Sequence, residues 1–225
     1  MCIRDSIYPH NCYVCTINSA IKNNALCIHC LSDVSYTDHF DIVENELMLK
    51  LFGRVDIEHA AALHYFLKKG KIQKLVHAFK YKNKPQVATL LGKQFAYKYL
   101  ESETFESADY IVPIPIHYAR RQQRGYNQAY MIAKGIFEIT GIPIENKVLI
   151  KNKKIVSQTI KNRSERFVNV LHTFSLNNAN KFIGKRILII DDVFTTGATI
   201  EAAITILKDI KDITIQIGFI AIATD

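Results

Sequence analysis

An α/β domain with a mostly parallel sheet, preceded by a small four-cysteine module, is the fold this chain predicts. Three observations carry that prediction. From about residue 56 onward, short apolar runs alternate with helical patterns of ten residues or more, as right-handed βαβ crossovers require. The cysteines stand at 2, 12, 15, 27 and 30, with none afterwards. Hydrophobic residues make up 48% of the 225, enough for one full-sized core and a small accessory unit.

The first unit is expected over residues 8–36. "CYVC" and "CIHC" are two C-x2-C pairs eleven residues apart. Such knuckles let the thiolates of Cys12, Cys15, Cys27 and Cys30 converge on one Zn²⁺ at about 2.3 Å from each sulfur. A disulfide pair or a bare thiol cluster are the alternatives, and a reducing cytosol disfavours the first. A segment of about 40 residues buries too little to fold alone, so a metal would supply the missing free energy. Four protein ligands leave no open position, which makes the site structural. Cys2 is the odd one out, and His10 and His29 are read as bystanders.

Residues 37–55 follow as a connector, containing the acidic, amphipathic "DHFDIVENELML". The main domain is expected over 56–225. In "KIQKLVHAFKYKNK", Ile72, Leu75, Val76 and Phe79 recur at i, i+3, i+4 and i+7 and define one apolar helical stripe. Lys71, Lys74 and Lys80 lie off it, facing solvent or a partner. Pro85 begins a second helix through "VATLLGKQFAYKYL". "ADYIVPIPI" reads as a short strand stopped by Pro113 and Pro115, which cannot donate to a ladder. "HYARRQQRGYNQ" reads as a basic loop, and "AYMIAKGIFEI" as a helix ended by Gly141 and Pro143. "KVLIK" is a strand and "NKKIVSQTIKNRSERFVNV" a polar, basic excursion. "KRILII" is a strand, residues 198–208 a helix, and "ITIQIGFIAIA" the last strand.

Charge and motifs narrow the function. Lys and Arg number 29 against 21 Asp and Glu, a formal +8 that favours anionic partners. Neither "GxxxxGK[ST]" nor "GxGxxG" occurs, which counts against an ordinary NTPase or dinucleotide fold. No stretch approaches the ~20 apolar residues of a membrane-spanning helix. The amino terminus lacks an apolar core and a small-residue cleavage site, so a secretory signal is not expected and a cytosolic location is.

The densest signal is "ILIIDDVFTTGATI", residues 187–200. An apolar strand covered on both faces would deliver Asp191 and Asp192 beyond its carboxyl end, where ligands sit in parallel sheets. Thr195, Thr196, Gly197, Ala198 and Thr199 then open a helix whose free N–H groups attract an anion. Carboxylates accept from vicinal hydroxyls while the N–H nest takes a phosphate, and a ribose 5-phosphate meets both needs. A Thr-capped helix with no ligand is the bland alternative.

This stretch resembles the 5-phosphoribosyl 1-pyrophosphate (PRPP) motif of type I phosphoribosyltransferases. With "CYVC…CIHC", "FKYKNK", "IVPIPIHYARRQQRGYNQA" and "SQTIKNRSERFVNV", the chain is similar to the ComF family, a bacterial group linked to DNA uptake in natural competence. The resemblance implies a Rossmann-like type I phosphoribosyltransferase fold. It implies Asp191 and Asp192 on the ribose hydroxyls and Thr195, Thr196, Gly197, Ala198 and Thr199 on the 5′-phosphate. It also implies Arg120, Arg121 and Arg124 on the pyrophosphate, with a flap carrying Gln158, Arg163, Arg166 and Asn169. Mg²⁺ would arrive with the pyrophosphate. PRPP, single-stranded DNA and other competence proteins are the partners implied.

Two functions remain open at this stage. One is a PRPP-dependent transferase, for which no residue can be assigned as base and no acceptor named. The other is a single-stranded-DNA-binding factor that uses the same fold as a scaffold, with Lys68, Lys69, Lys71, Lys74, Lys80, Lys82 and Lys84 interleaved with Phe79 and Tyr81. Phe79 sits on the apolar stripe, which leaves Tyr81 as the exposed candidate.

Overall fold

Residues 11–17, 20, 26–152 and 173–224 are described by a computed structural model of the chain. Among them, the helices are α1 (Ile28–Leu31), α2 (Glu46–Leu51), α3 (Lys71–Tyr81), α4 (Pro85–Glu101), α5 (Tyr118–Arg124), α6 (Gln128–Thr140) and α7 (Ala198–Leu207). The strands are β1 (His59–Phe66), β2 (Tyr110–Pro113), β3 (Leu149–Lys151), β4 (Phe174–Leu176), β5 (Arg186–Phe194) and β6 (Thr214–Ala223). β1, β6, β5 and β2 form one sheet in that order, with every pairing parallel. β3 and β4 form a separate antiparallel ribbon.

The two central strands are covered on both faces, which is why β5 and β6 read as near-continuous Ile runs rather than alternating ones. One face packs Leu188, Ile190 and Ile220 against Leu75 and Phe79 of α3, Leu91 and Phe95 of α4, and Ile132 and Ile136 of α6. The opposite face packs Ile187, Ile189, Ile217 and Phe219 against Leu47 and Leu51 of α2, Ile204 and Leu207 of α7, and Phe174 of β4. Gln216, the one buried polar side chain of β6, lies inside the apolar run. It donates to Glu58 at 2.6 Å and to the Glu106 carbonyl at 3.0 Å.

α4 and α6 cross with almost no space between their backbones. A Cβ on Gly92 would stand 2.9 Å from the Ile132 carbonyl carbon, and one on Gly135 would stand 3.0 Å from the Thr89 carbonyl carbon. The two glycines therefore face each other's helix, and only hydrogen fits at either position.

Both rims of the sheet are occupied. Residues 35–37 run antiparallel to β1, with Tyr36 bridging His64, Thr37 N–H donating to Leu63 and Tyr65 N–H donating to Ser35. Farther along β1, Asn45 donates to the Ala60 carbonyl at 2.9 Å, Ala62 N–H donates to His39 Nδ1 at 3.3 Å, and the Thr37 hydroxyl donates to the Ala62 carbonyl. At the other rim, Pro143 and Glu145 bond Ile111 of β2 at 2.9 and 2.8 Å, and Pro113 sits where its missing N–H does no harm.

Two sequence expectations change. β5 pairs with β6 through Phe194, opposite Ile222, so Asp191 and Asp192 lie inside the strand's last turns of pleat rather than beyond Ile190. "HYARRQQRGYNQ" is not a loop throughout. Its Tyr118–Arg124 part is α5, capped by His117, whose Nδ1 accepts from Ala119 N–H at 3.3 Å, and closed by Gly125 at φ 79°. Arg and Gln are good helix formers, and a run of them needs only a cap to wind.

Candidate functional site

Successive residues of a strand point to opposite faces of a sheet. Asp191 and Asp192 therefore part company, and their neighbours confirm it. Asp192 accepts from Lys80 Nζ of α3 at 2.8 Å, with the two side chains only 14% and 20% exposed. Asp191, on the other face, lines a cavity with Phe219 and the turn after β5, receives the Asp192 N–H at 2.8 Å, and feels the charge of Lys80 and, less strongly, of Lys151 of β3.

Burial penalises a charge on Asp191 and the adjacent Asp192 carboxylate repels it. Together they push its carboxyl up to about 7, against the pull of the Asp192 N–H, Lys80 and Lys151. Burial likewise lowers Lys151, Asp191 partly restores it, and Arg120 opposes that restoration. The sign for stability follows. Between about 4 and 7 the unfolded chain has lost the Asp191 proton while the folded chain keeps it, so stability falls as pH rises across that window. Asp191→Asn is expected to remove this slope. In thermal unfolding against pH, the variant should gain on the wild type from about pH 4 up to about pH 7 and no further. A constant difference would contradict the raised carboxyl.

The turn after β5 is open. Thr195, Thr196 and Ala198 are exposed, Thr199 is half-buried, and Gly197 alone is buried. Gly197 has φ 79°, and a Cβ there would meet the Phe194 ring at 2.9 Å and Arg54 at 3.2 Å. Only glycine satisfies both the left-handed backbone and the space. Gly197 is also the N-cap of α7 and offers no side-chain cap; the Thr196 hydroxyl stands 3.5 Å from Ala198 N, long for a hydrogen bond. The helix mouth is thus not consumed by capping. Asp191, Phe194 and every residue from Thr195 to Ile200 line one cavity of about 40 Å³, room for a small anion rather than a nucleotide. Asp192 is not part of that lining.

The three arginines are dispersed along α5. Arg120 and Arg121 are exposed. Arg124 is half-buried and already engaged, donating to Gln128 Oε1 at 3.1 Å with its guanidinium 5.2 Å from the centre of the Tyr81 ring. "RGYN" fixes α5 to its surroundings. Tyr126 donates to the Phe79 carbonyl of α3, and Asn127 donates to the Ile114 carbonyl at 3.0 Å while capping α6. Gln158, Arg163, Arg166 and Asn169 lie outside the described residues.

Three cations near these residues escaped the motif reading. Lys80 carried a signal, since it lies in "FKYKNK" on the helix face away from the apolar stripe, yet its partner is 112 residues away. Lys151 ends a three-residue strand, and nothing local marks it. Arg54 follows α2 and donates to the Thr196 carbonyl and to Glu201, both at 2.8 Å.

The four cysteines also meet. The sulfurs of Cys12, Cys15, Cys27 and Cys30 lie within 4.8 Å of one another, and those of Cys15 and Cys27 are 3.8 Å apart. Four sulfurs at about 2.3 Å from one ion would be separated by about 3.8 Å in a tetrahedron. Burial and the neighbouring thiols push Cys30 up to about 12. Burial also opposes charge on Cys12, but backbone N–H donors and Cys15 bring it down to about 6. So crowded a set of thiols can ionise together only around a cation, and the donor set fits a soft divalent metal ion. The cysteine cluster packs against the main domain. Cys12, Cys27 and Cys30 share a core with α3 and α4, and Lys71 of α3 pairs with Asp33 at 2.5 Å.

Comparison with known proteins agrees with this architecture. Residues 124–223 match the phosphoribosyl transferase domain family. The chain is 30% identical over 112 residues to competence protein F of Haemophilus influenzae, covering 49% of each chain. It is 36% identical over 121 residues to competence protein ComFC of Streptococcus pneumoniae, covering 53% of this chain and 51% of that one. With ComFC of Bacillus subtilis the identity is 28% over 126 residues, covering 56% and 48%. The chain thus spans about half the length of the curated relatives it matches. Among the described residues, no helix is long and apolar enough to cross a membrane.

Proposed function

Because this chain is a phosphoribosyltransferase-like protein of the ComF family, we propose that it binds PRPP at the carboxyl end of β5 and acts in DNA uptake. One observation carries the reading. Asp191 and the uncapped, open turn Thr195–Thr199 line a single cavity, which sets a hydroxyl acceptor beside an anion nest. The 5′-phosphate takes the turn and the ribose hydroxyls take Asp191 and, across the end of the sheet, Asp192. Arg120 and Arg121, free of side-chain partners among the described residues, serve the pyrophosphate, with Mg²⁺ supplying further neutralisation when bound. The cysteine cluster holds Zn²⁺ as a structural ion within residues 8–36, ahead of the connector and the domain over 56–225.

A second reading is single-stranded DNA binding. Phe79 is fully buried, whereas Tyr81 is 63% exposed among the exposed Lys68, Lys69, Lys74, Lys82 and Lys84. One titration separates the two. Calorimetry with PRPP and Mg²⁺ should show binding by the wild type and none by the Asp191→Asn, Asp192→Asn double variant, with both proteins folded by circular dichroism. Undiminished affinity in the variant would sink the ribose assignment. A wild type silent toward PRPP that binds a short single strand, with affinity falling steeply in salt, would replace the first reading by the second.

A further inference from the structure

Arg54 stands outside the stretch that matches the phosphoribosyl transferase domain, yet it touches the turn after β5 inside that stretch. Its position is built rather than incidental. Leu47 and Leu51 anchor α2 in the core, Gly53 turns the chain at φ 71°, and Arg54 N–H donates back to the Leu51 carbonyl at 3.0 Å. The side chain then spreads over three acceptors. They are the Lys50 carbonyl at 3.2 Å, the Thr196 carbonyl at 2.8 Å and the Glu201 carboxylate at 2.8 Å.

Glu201 poses an electrostatic problem that Arg54 answers. A carboxylate in the first turn of α7 stabilises the helix by meeting its positive end. That same charge opposes any phosphate that enters the helix mouth. The Arg54 guanidinium cancels it at contact distance and, by holding the Thr196 carbonyl, keeps that oxygen off the anion's position. Resting on the ribose 5-phosphate reading of the turn, we propose that Arg54 is the positioning residue of the phosphate turn and that its pairing with Glu201 removes a carboxylate that would repel the ligand.

The sign of two variants decides it. With ribose 5-phosphate as the probe, Arg54→Ala should weaken binding about fivefold, the scale of one partly exposed ion pair. Glu201→Gln, which leaves Arg54 unopposed, should bind as tightly as the wild type or more so. The double variant should regain most of the loss. A pair that merely braces the fold would instead make both single variants lose alike, and that result overturns the proposal, as does an unchanged Arg54→Ala. Should Arg54→Ala fail to fold, Arg54→Lys and Glu201→Gln still give the sign. A wild type that binds no ribose 5-phosphate overturns the reading of the turn and this inference with it, whereas a binding wild type with the wrong signs overturns this inference alone.

Discussion

Replacing Cys27 and Cys30 by serine is expected to remove one bound metal ion per chain and to lower the melting temperature by 10 °C or more. The four sulfurs already sit within 4.8 Å of one another, and three of the four residues belong to the core that α3 and α4 also share. Structural zinc contributes about 10–16 kcal/mol in isolated small modules. Here the surrounding core shares the task, so a loss of about 4 kcal/mol is the conservative expectation. At about 3 °C per kcal/mol for a chain of this size, that is about 12 °C. Metal content by atomic spectroscopy and unfolding by calorimetry check it together. Retention of a full equivalent in the double variant would show the ligand set to be wrong, and Cys2→Ser should change neither measurement.

Gly92→Ala is expected to destabilise the fold by about 3 kcal/mol, and Gly135→Ala by a similar amount. Alanine ordinarily favours a helix over glycine by about 1 kcal/mol, so propensity alone predicts stabilisation at both sites. Packing reverses the sign. The new methyl would press on the backbone of the facing helix, which cannot rotate away as a side chain could, and α4 and α6 must separate along their whole contact. Because each glycine meets the other's helix, the first substitution already pushes the pair apart and the second should cost less than the first. Denaturant unfolding measures all three variants. A gain in stability for either single variant would show that the helices have room to spare.

The long apolar strands and the helices opened by Pro85 or closed by Gly141 were legible in the residues, because propensity, pattern and punctuation agree there. β1 was not. "HAAALHYF" lacks the branched residues of a strand, and Ala60, Ala61 and Ala62 favour a helix when judged locally. They form a strand because β6 pairs with it along one side and residues 35–37 along the other, which tertiary pairing local propensity does not show. Within the site, Thr195 to Thr199 were legible because one short stretch supplies them. Two things were not legible. The first is that Asp191 and Asp192 fall on opposite faces, which depends on how far β5 keeps its partner. The second is the set of cations around the site, since Lys80 and Lys151, which answer the two acids, and Arg54, which answers Glu201, arrive from elements far away in sequence and join only when the sheet is assembled.

The way β1 and β2 are bordered bears on how copies of this chain can associate. Asn45 and Thr37 donate to carbonyls of β1 that would otherwise point outward, His39 accepts from one of its amides, and residues 143–145 claim the outward groups of Ile111 in β2 through their backbone. Among the described residues, a second molecule therefore finds no continuous ladder of unclaimed peptide groups along either rim of the four-stranded sheet, and this sheet resists growth by strand addition even though its central strands are apolar.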